Sequence, residues 1–334
     1  MPCIVRLNAQ TMPMSAEERQ TLATCDAQVV EVEGGSDAEI LAAAGDADAI
    51  LIISAYLHTP VVQALRRCRI ISRIGTGVDK IDVETASRRG IIVNNLPGVF
   101  TEEVADHTLA LLLAAARQLP RLDREMRQGR QPREMGCIHR LSAQTVGIVG
   151  FGLIGRAVAK RCQAFGMRIL ATDPCLNPAQ AAAAGVTAAD LDTVLAEADY
   201  LCLLCPLLPA TRGLLAWPQF RRMKPTAALI NTGRGELVNE DDLAAALREG
   251  ALRFAAMDVF GIVNVFDANG FPTEHPLFKL DNVLLTPHYG AASVEGAQEC
   301  RRRAAQAVVD VFAGRWPEHP VDPEVQPWFP LPAR

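Results

Sequence analysis

One turn of the chain has the glycine spacing that dinucleotide binding requires: Gly150, Gly152 and Gly155, with Leu153 and Ile154 between the last two. The first glycine permits a tight turn, the second lets the backbone approach a pyrophosphate, and the third lets a helix pack closely on a strand. A helix that begins within this turn offers free N–H groups and the positive end of its dipole to phosphates. The segment therefore predicts a site for a phosphate-bearing cofactor.

The residues around this turn have the order strand, turn, helix, strand and acid. Apolar runs predict strands at Thr145–Val149 and Arg168–Thr172, and Arg156–Phe165 between them is compatible with a helix. Asp173 follows 18 residues after Gly155 (173 − 155), where a carboxylate can bind the ribose 2′-OH of NAD and repel the 2′-phosphate of NADP. No Arg or Lys follows at 174–177, so NAD is the predicted cofactor. The alternative is that this carboxylate only caps a turn.

An arginine and a histidine follow two later apolar runs, at the strand ends that face the ligand crevice of a doubly wound sheet. Arg234 lies in a turn after Leu229–Asn231, between two glycines, and His288 lies in a turn after Val283–Leu285. A guanidinium can bind a carboxylate through two hydrogen bonds, and an imidazole can exchange a proton near neutral pH. With a nicotinamide, the two side chains would form a 2-keto acid reductase site. Alternatively, the arginine is a structural residue on an exposed loop and the histidine a packed or capping residue.

The nine cysteines are scattered, and no secretory signal precedes them, which indicates reduced thiols in a cytoplasm. Cys202 and Cys205 have the spacing of a redox or zinc pair. However, this pair lies in an apolar run, and no second pair follows at zinc-site spacing. We therefore interpret both as packing cysteines and predict no metal site.

Composition limits the class of protein. The 334 residues are 49% hydrophobic and 21% charged, with a net charge of −5, which predicts two globular domains. The absence of a long basic stripe argues against nucleic acid as the main partner. The longest apolar run, Leu109–Ala116, is far shorter than the ~18 residues of a membrane span, so no membrane partner is expected.

Strands and helices alternate in two series, which predicts an α/β protein with two doubly wound parallel sheets. Predicted helices include Ala38–Ala44, Pro60–Arg67, a long helix from Thr101 to about Met126, and a last helix at about Val294–Ala313. The predicted strands, besides the two that flank the glycine turn, are Cys3–Leu7, Gln28–Val32, Ala49–Ile53, Ile70–Ile74, Ile91–Asn94, Tyr200–Leu204, Ala227–Asn231, Phe254–Met257 and Val283–Leu285.

The last helix is too long for a simple tail and is predicted to return to the first domain. A Rossmann NAD domain (100–287) is therefore expected inside a flavodoxin-like substrate domain formed by 1–99 and 288–334. The proline-rich tail from Trp316 is expected either to wrap the surface or to be mobile.

Several motifs resemble those of the D-isomer-specific 2-hydroxyacid dehydrogenase family, which includes phosphoglycerate and glyoxylate/hydroxypyruvate enzymes. The resemblance covers about residues 45–315. Besides the glycine turn and the segments around Arg234 and His288, the motifs are Ser72–Asp82, Val93–Pro97, Val104–His107, Met223–Pro225 and Ala256–Phe260. The stretch Ile138–Leu141 is most similar to the branch near C-terminal-binding protein, a dehydrogenase-related corepressor.

The resemblance implies roles for particular residues. Arg234 matches the substrate-binding arginine, and His288 matches the catalytic acid/base. Asp258 matches the carboxylate that meets the carboxamide, and the helix after Thr101 matches the element that forms a homodimer. The resemblance also assigns binding of the substrate carboxylate to the backbone of Thr76, Gly77 and Val78. The remaining matches to cofactor-binding positions are Thr108 on the nicotinamide side, Cys205 and Pro206 under the adenosine ribose, Thr211 on the adenine side, and Thr232, Gly233 and Gly290.

One position departs from the family pattern. In the family, Asp-Val-Phe is followed by two further residues and then by Glu-Pro, and that Glu pairs with the histidine; here Val263 and Asn264 occupy the positions of Glu and Pro. A valine can neither raise the pKa of an imidazole nor fix its tautomer. Three explanations remain: Asp267 or Glu274 folds back from the longer loop, His288 works unpaired under mildly acidic conditions, or the site no longer turns over.

The sequence as a whole predicts a cytoplasmic, homodimeric, NAD-dependent oxidoreductase that interconverts a 2-keto acid and a D-2-hydroxy acid. One alternative is a catalytically weak, NAD-sensing dimeric binding protein like the corepressor relatives. Another is a relative that uses an unusual hydride donor such as formate or phosphite. Tyr56 either lines the pocket or lies on the surface.

Overall fold

The chain divides into two compact units. The computed structural model describes residues 1–131, 138–266 and 274–332. Among the described residues, the first unit combines Met1–Phe100 with Phe266 and the segment from Ala292 onward, and the second combines Thr101–Val265 with the segment from 274 to 291. The second unit therefore includes His288 to Ala291, which lie beyond the predicted boundary at 287.

Both units contain a parallel sheet, as an α/β fold requires. The first sheet has the order β2-β1-β3-β4-β5, which is the flavodoxin-like order. The second has the order β12-β11-β10-β9-β6-β7-β8, the Rossmann order with a seventh strand. The strands are β1 Cys3–Arg6, β2 Gln28–Glu31, β3 Ala49–Ile52, β4 Ile70–Arg73, β5 Ile92–Asn94, β6 Thr145–Val149, β7 Arg168–Thr172, β8 Thr187–Ala188, β9 Tyr200–Leu203, β10 Ala228–Asn231, β11 Phe254–Met257 and β12 Val283–Leu285.

The helices connect the strands, and the fold class predicted from the sequence is confirmed. Among the residues described, no helix combines the length and the apolar character that crossing a membrane demands. The helices are α1 Ala16–Leu22, α2 Asp37–Ala44, α3 Thr59–Ala64, α4 Val83–Arg88, α5 Thr101–Ala116, α6 Leu119–Arg127, α7 Leu153–Ala164, α8 Pro178–Ala183, α9 Leu191–Glu197, α10 Trp217–Phe220, α11 Glu240–Arg248 and α12 Val294–Phe312.

The single long helix predicted from Thr101 to about Met126 is wrong. The structure has two helices, because Gln118 between them adopts a left-handed conformation with φ 53° and ψ 34°. Pro120 then lies in the first turn of α6, where its missing N–H costs nothing. In a single unbroken helix from Thr101, Pro120 would lie in the interior, where its missing N–H would remove a backbone hydrogen bond.

Helix α12 completes the core of the first unit. Its apolar face, which includes Ala304 and Val308, packs with Leu51 and Ile70 in one buried cluster. The hydroxyl of Ser72 donates a hydrogen bond to the carbonyl of Ala304 over 2.8 Å. Helix α12 and the N-terminal sheet therefore pack against each other as two layers, although about 200 residues separate them in the chain.

The proline-rich tail wraps the first unit. The Val321 N–H donates to the Val93 carbonyl over 2.8 Å, so the tail adds backbone pairing at the free edge of β5. The indole of Trp328 donates to the Cys68 carbonyl over 2.9 Å. A Cβ on Gly90 would lie 2.5 Å from the tail backbone, and φ there is +65°, so this position requires glycine. Of the two alternatives for the tail, surface wrapping is the one observed.

Candidate active site

The glycine turn lies between β6 and α7, beside the strand β9, where the order of the second sheet reverses. Gly150 has φ +95°, and a Cβ there would lie 2.5 Å from the backbone nitrogen of Cys205. A Cβ on Gly155 would lie 2.3 Å from the carbonyl oxygen of Gly150. Gly152 caps α7, and within the described part of the chain no atom lies within 4 Å of a Cβ built there. Gly150 and Gly155 thus permit close packing, whereas the space around Gly152 is open.

The open space at Gly152 fits a pyrophosphate. Leu153 and Ile154 form the first turn of α7, and Leu153 is 60% exposed, so the N-terminal end of this helix reaches solvent. The first N–H groups of a helix have no partner within the helix and carry its positive dipole end. The turn therefore offers the donors and the room that an anionic cofactor needs.

Two alanine substitutions separate packing from cofactor binding. Gly155→Ala should lower the midpoint of thermal unfolding by several degrees, because the new methyl group overlaps the Gly150 carbonyl. Gly152→Ala should leave that midpoint unchanged and weaken NADH binding by about tenfold or more, because its methyl group fills the space for the pyrophosphate. Thermal unfolding and an NADH fluorescence titration measure both effects. Unchanged NADH affinity in Gly152→Ala would contradict this assignment of the phosphate site.

Asp173 lies against the glycine turn, directly after β7. Its Oδ2 accepts a hydrogen bond from the Phe151 N–H and its Oδ1 accepts one from the Cys175 N–H, both over 2.8 Å. Each carboxylate oxygen has two lone pairs, so each retains one for a ribose hydroxyl. The hydrogen bond from the Cys175 N–H also caps the turn after β7. Asp173 can therefore cap this turn and bind a ribose hydroxyl at the same time.

The loop after β9 is folded by its own side chains. Thr211 Oγ1 donates to the Pro206 carbonyl over 2.7 Å and accepts from the Leu208 N–H over 2.8 Å. Cys205 is buried, and burial raises the pKa of its thiol to about 11. Cys202 is fully buried in β9, where burial raises its thiol pKa well above the usual range. Both cysteines occupy packed positions as neutral thiols.

Asp258 builds the turn that carries His288. Its Oδ1 accepts from the Thr286 hydroxyl over 2.6 Å and from the Tyr289 N–H over 2.8 Å, and its Oδ2 accepts from the Gly290 N–H over 2.8 Å. The His288 N–H donates to the Asp258 carbonyl over 2.8 Å. His288 has φ 58°, a conformation that a residue with a Cβ rarely adopts. The buried carboxylate therefore holds a strained turn at the end of β12.

A second histidine, His107 on α5, contacts the same carboxylate. Its Nε2 lies 3.1 Å from Thr286 Oγ1 and 3.3 Å from Asp258 Oδ1. Burial raises the pKa of Asp258, but hydrogen bonds from His107, Thr286 and two backbone N–H groups outweigh burial and leave the pKa below its usual range. Asp258 is thus an anion surrounded by donors. Sequence reasoning did not assign a role to His107; its place in the Val104–His107 motif was the available signal.

The Arg234 loop is fixed at its start by a buried amide. Asn231 Nδ2 donates to the Arg234 carbonyl over 2.9 Å, and Asn231 Oδ1 accepts from the Gly233 N–H over 3.0 Å. The hydroxyls of Thr108 and Thr232 lie 2.7 Å apart. Because Thr108 donates its proton to a carbonyl of its own helix, Thr232 donates to Thr108. The last bond joins Thr108, which the sequence predicted on the nicotinamide side, to Thr232, another predicted cofactor-binding position.

Arg234, Asp258 and His288 follow three adjacent strands. β11 pairs with β10 on one side and with β12 on the other, all parallel, so the three residues share the carboxyl edge of the sheet. Neighbouring strands lie about 4.8 Å apart, which places the ends of β10 and β12 about 10 Å apart. The loops that carry Arg234 and His288 therefore begin at the same edge of the sheet, on either side of the strand that precedes Asp258.

Thr76, Gly77 and Val78 lie in the first unit, in the loop after β4. Thr76 Oγ1 donates to the Leu96 carbonyl over 3.1 Å, and Arg73 Nε donates to the Gly77 carbonyl over 3.0 Å. These contacts fix the loop whose backbone the sequence assigned to a substrate carboxylate.

Two residues named during sequence analysis lie on the surface. Tyr56 is 45% exposed, with Lys80 Nζ 4.6 Å from its ring centroid. Glu274 is exposed and forms an ion pair with Lys279 over 2.9 Å, so this carboxylate is engaged elsewhere. Val263, at the position of the family's Glu, is buried. Asp267 lies outside the described residues.

A Rossmann sheet with a phosphate turn at its switch point defines a dinucleotide-binding protein. The family model of the D-isomer specific 2-hydroxyacid dehydrogenase, NAD binding domain, matches residues 109–290. The chain belongs to this family, whose members are oxidoreductases.

Three relatives illustrate the similarity. D-3-phosphoglycerate dehydrogenase of Mycobacterium tuberculosis is 37% identical over 90% of this chain, but the chain spans only 57% of that protein. Glyoxylate reductase of Korarchaeum cryptofilum is 38% identical, and the match covers 84% of each chain. The NADPH-dependent glyoxylate/hydroxypyruvate reductase from Sinorhizobium meliloti, solved with NADP and malonate, is 29% identical with a TM-score of 0.84, over 99% of each chain.

Proposed function

We propose that this protein is an NAD-dependent reductase that interconverts a 2-keto acid and a D-2-hydroxy acid. The observation that carries the proposal is the shared sheet edge, where Arg234, Asp258 and His288 follow three adjacent strands at the same edge as the phosphate turn after β6. The relatives named glyoxylate reductase and D-3-phosphoglycerate dehydrogenase support a small acid as the substrate.

The bound dinucleotide supplies a hydride, and the residues of the chain supply binding and a proton. Arg234 binds the keto acid through its carboxylate and draws electron density from the adjacent carbonyl. His288 donates a proton to the oxygen of that carbonyl, which becomes the hydroxyl of the product. Asp258 holds the His288 turn. The roles of Arg234 and His288, and the assignment of the substrate carboxylate to the backbone of Thr76–Val78, stay predictions.

A panel of substrates tests the proposal. The purified protein is mixed with NADH and 2-keto acids from glyoxylate and hydroxypyruvate to bulky aromatic ones, and the loss of absorbance is followed. We expect reduction of at least one keto acid, and the preferred one identifies the substrate class. If NADH binds but no keto acid is reduced at any pH, the reductase proposal is wrong.

A binding protein that senses NAD is the second candidate. Buried Val263 at the position of the family's Glu favours it, because the usual carboxylate partner of the histidine is missing at that position. Retained Arg234 and His288 favour the enzyme, since a sensor has no chemical need for either. The substrate panel separates the two candidates.

NAD rather than NADP is the proposed cofactor, and Asp173 is the residue that would discriminate. Asp173→Asn should lower the ratio of kcat/KM with NADH to kcat/KM with NADPH by about tenfold or more, because a 2′-phosphate carries roughly −1.5 to −2 charges that a carboxylate repels. The matched control is Asp190→Asn, since Asp190 also accepts a backbone N–H in the same unit. An unchanged ratio in Asp173→Asn would show that this carboxylate does not select the cofactor.

A homodimer and a cytoplasmic location remain part of the proposal. Every residue of α6 is at least partly exposed, including Leu119 at 53% and Met126 at 76%. Exposed apolar side chains that follow the family's dimer-forming helix support a contact with a second copy of the chain.

A further inference from the structure

A buried carboxylate that the proposed mechanism does not use lies at the start of α11. Glu240 is 2% exposed, and its Oε1 accepts a hydrogen bond from the Gly261 N–H over 2.8 Å. Its Oε2 accepts from the Ile262 N–H over 3.3 Å and lies 2.9 Å from His275 Nε2. A buried charge is tolerated only when such donors surround it. Glu240 therefore ties the backbone after β11 to a helix of the second unit.

The protonation state of His275 follows from its two contacts. Its Nδ1 accepts from the Leu277 N–H over 3.2 Å, so the proton resides on Nε2 and is donated to Glu240. The ring is 3% exposed; Phe278 stacks on it at 4.6 Å between centroids, and Phe260 meets it edge-on at 5.6 Å. The hydrogen-bond geometry assigns a neutral imidazole that donates to a carboxylate.

The segment held by Glu240 contacts the loop of the substrate-binding arginine. A Cβ on Gly235 would lie 2.0 Å from the carbonyl carbon of Phe260 and 2.1 Å from the nitrogen of Gly261. A Cβ on Gly261 would lie 3.1 Å from Glu236 Cγ. The peptide between Phe260 and Gly261 is thus pressed against the residues that directly follow Arg234. A shift of this peptide toward Gly235 would therefore require Gly235 to move as well.

We propose that Glu240 and His275 are positioning residues that set the place of Arg234 through the Phe260–Gly261 peptide. Asn231 fixes the start of the Arg234 loop, and the Glu240–His275 pair fixes its end. The inference rests on the proposed function in that Arg234 binds the keto acid there. Neither Glu240 nor His275 contacts the reacting atoms in this role.

Two substitutions at one position test this. His275→Gln keeps a donor near the place of Nε2, whereas His275→Leu removes it and leaves the carboxylate one donor short. We expect His275→Leu to raise KM for the keto acid by about tenfold, with the dissociation constant for NADH within about twofold of wild type. His275→Gln should recover most of the loss. Parallel increases in KM and in the NADH dissociation constant would overturn the proposal, since general loosening of the unit produces both.

Hydrogen exchange gives a readout that needs no activity. In His275→Leu, amides of residues 233–238 should exchange faster than in wild type, and His275→Gln should restore their protection. Unchanged exchange over this loop in folded His275→Leu would overturn the inference. If wild-type protein reduces no keto acid, the proposed function fails, and the exchange experiment still decides whether the pair holds the Arg234 loop.

Discussion

Replacing His288 with asparagine should lower kcat for keto acid reduction by about 10²–10⁴-fold, because asparagine cannot donate a proton as imidazolium does. Asparagine is also a residue that tolerates a left-handed backbone, so the turn at φ 58° should survive the change. The expected dissociation constant for NADH is therefore close to that of wild type. Steady-state kinetics and an NADH titration measure both quantities.

A matched control for this substitution is His139→Asn. His139 is exposed and lies in the same unit, so its replacement should leave kcat unchanged. If His288→Asn retains more than about a tenth of wild-type kcat, another group donates the proton.

A pH–rate profile of the wild type tests whether another carboxylate replaces the family's glutamate, whose position Val263 occupies in this chain. Reduction consumes a proton, so the rate falls as the pH rises through the pKa of the donor. Activity that persists on the alkaline side would indicate a replacement carboxylate, and activity confined to mildly acidic pH would indicate that no carboxylate raises the pKa of the proton donor. In the structure Glu274 is exposed and pairs with Lys279, and Asp267 lies outside the described residues.

Replacing Arg234 with lysine should lower kcat/KM for the keto acid by about 10²-fold, although the charge is retained. A guanidinium offers two parallel N–H donors to a carboxylate, whereas an ammonium acts as a point charge on a flexible stem. Loss of one charge-assisted hydrogen bond costs about 1.5–3 kcal/mol, and the upper part of that range corresponds to the expected 10²-fold loss in kcat/KM. Kinetics at varied keto acid and saturating NADH measure the effect.

The control for this second prediction is Arg222→Lys in the same unit. Arg222 is exposed and pairs with Asp192, so lysine can replace it with little effect. An equal loss of NADH affinity in Arg234→Lys would contradict the assigned role, because it would mean that the cofactor turn had moved as well.

The sequence predicted the strands well, for a physical reason. Strands of a parallel sheet are buried on both faces, so they read as short apolar runs, and Ala49–Ile53 is an example that the structure shows as Ala49–Ile52. Thr187–Ala188 was missed because a two-residue strand has no such pattern. The break at Gln118 was missed because apolar periodicity continues across it, although Pro120 was a visible signal.

The site was predictable where the function depends on local spacing. The glycine turn and Asp173 form one strand–turn–helix–strand unit, so a short window of sequence contains them. The contact between His107 and Thr286 spans 179 residues, and the Glu240–His275 pair spans 35. Such pairs form only when the chain folds, and an isolated polar residue in the sequence gives no sign of its partner.

The place of α12 in the first unit has a consequence for biosynthesis. Ribosomes add about 5–20 residues per second, so the roughly 200 residues between Phe100 and Cys300 take about 10–40 s to appear. During that interval the N-terminal sheet exists without the helix that covers one of its apolar faces and without the tail that pairs with β5. We therefore expect the nascent chain to expose apolar surface that is prone to aggregation until α12 and the tail have been synthesised.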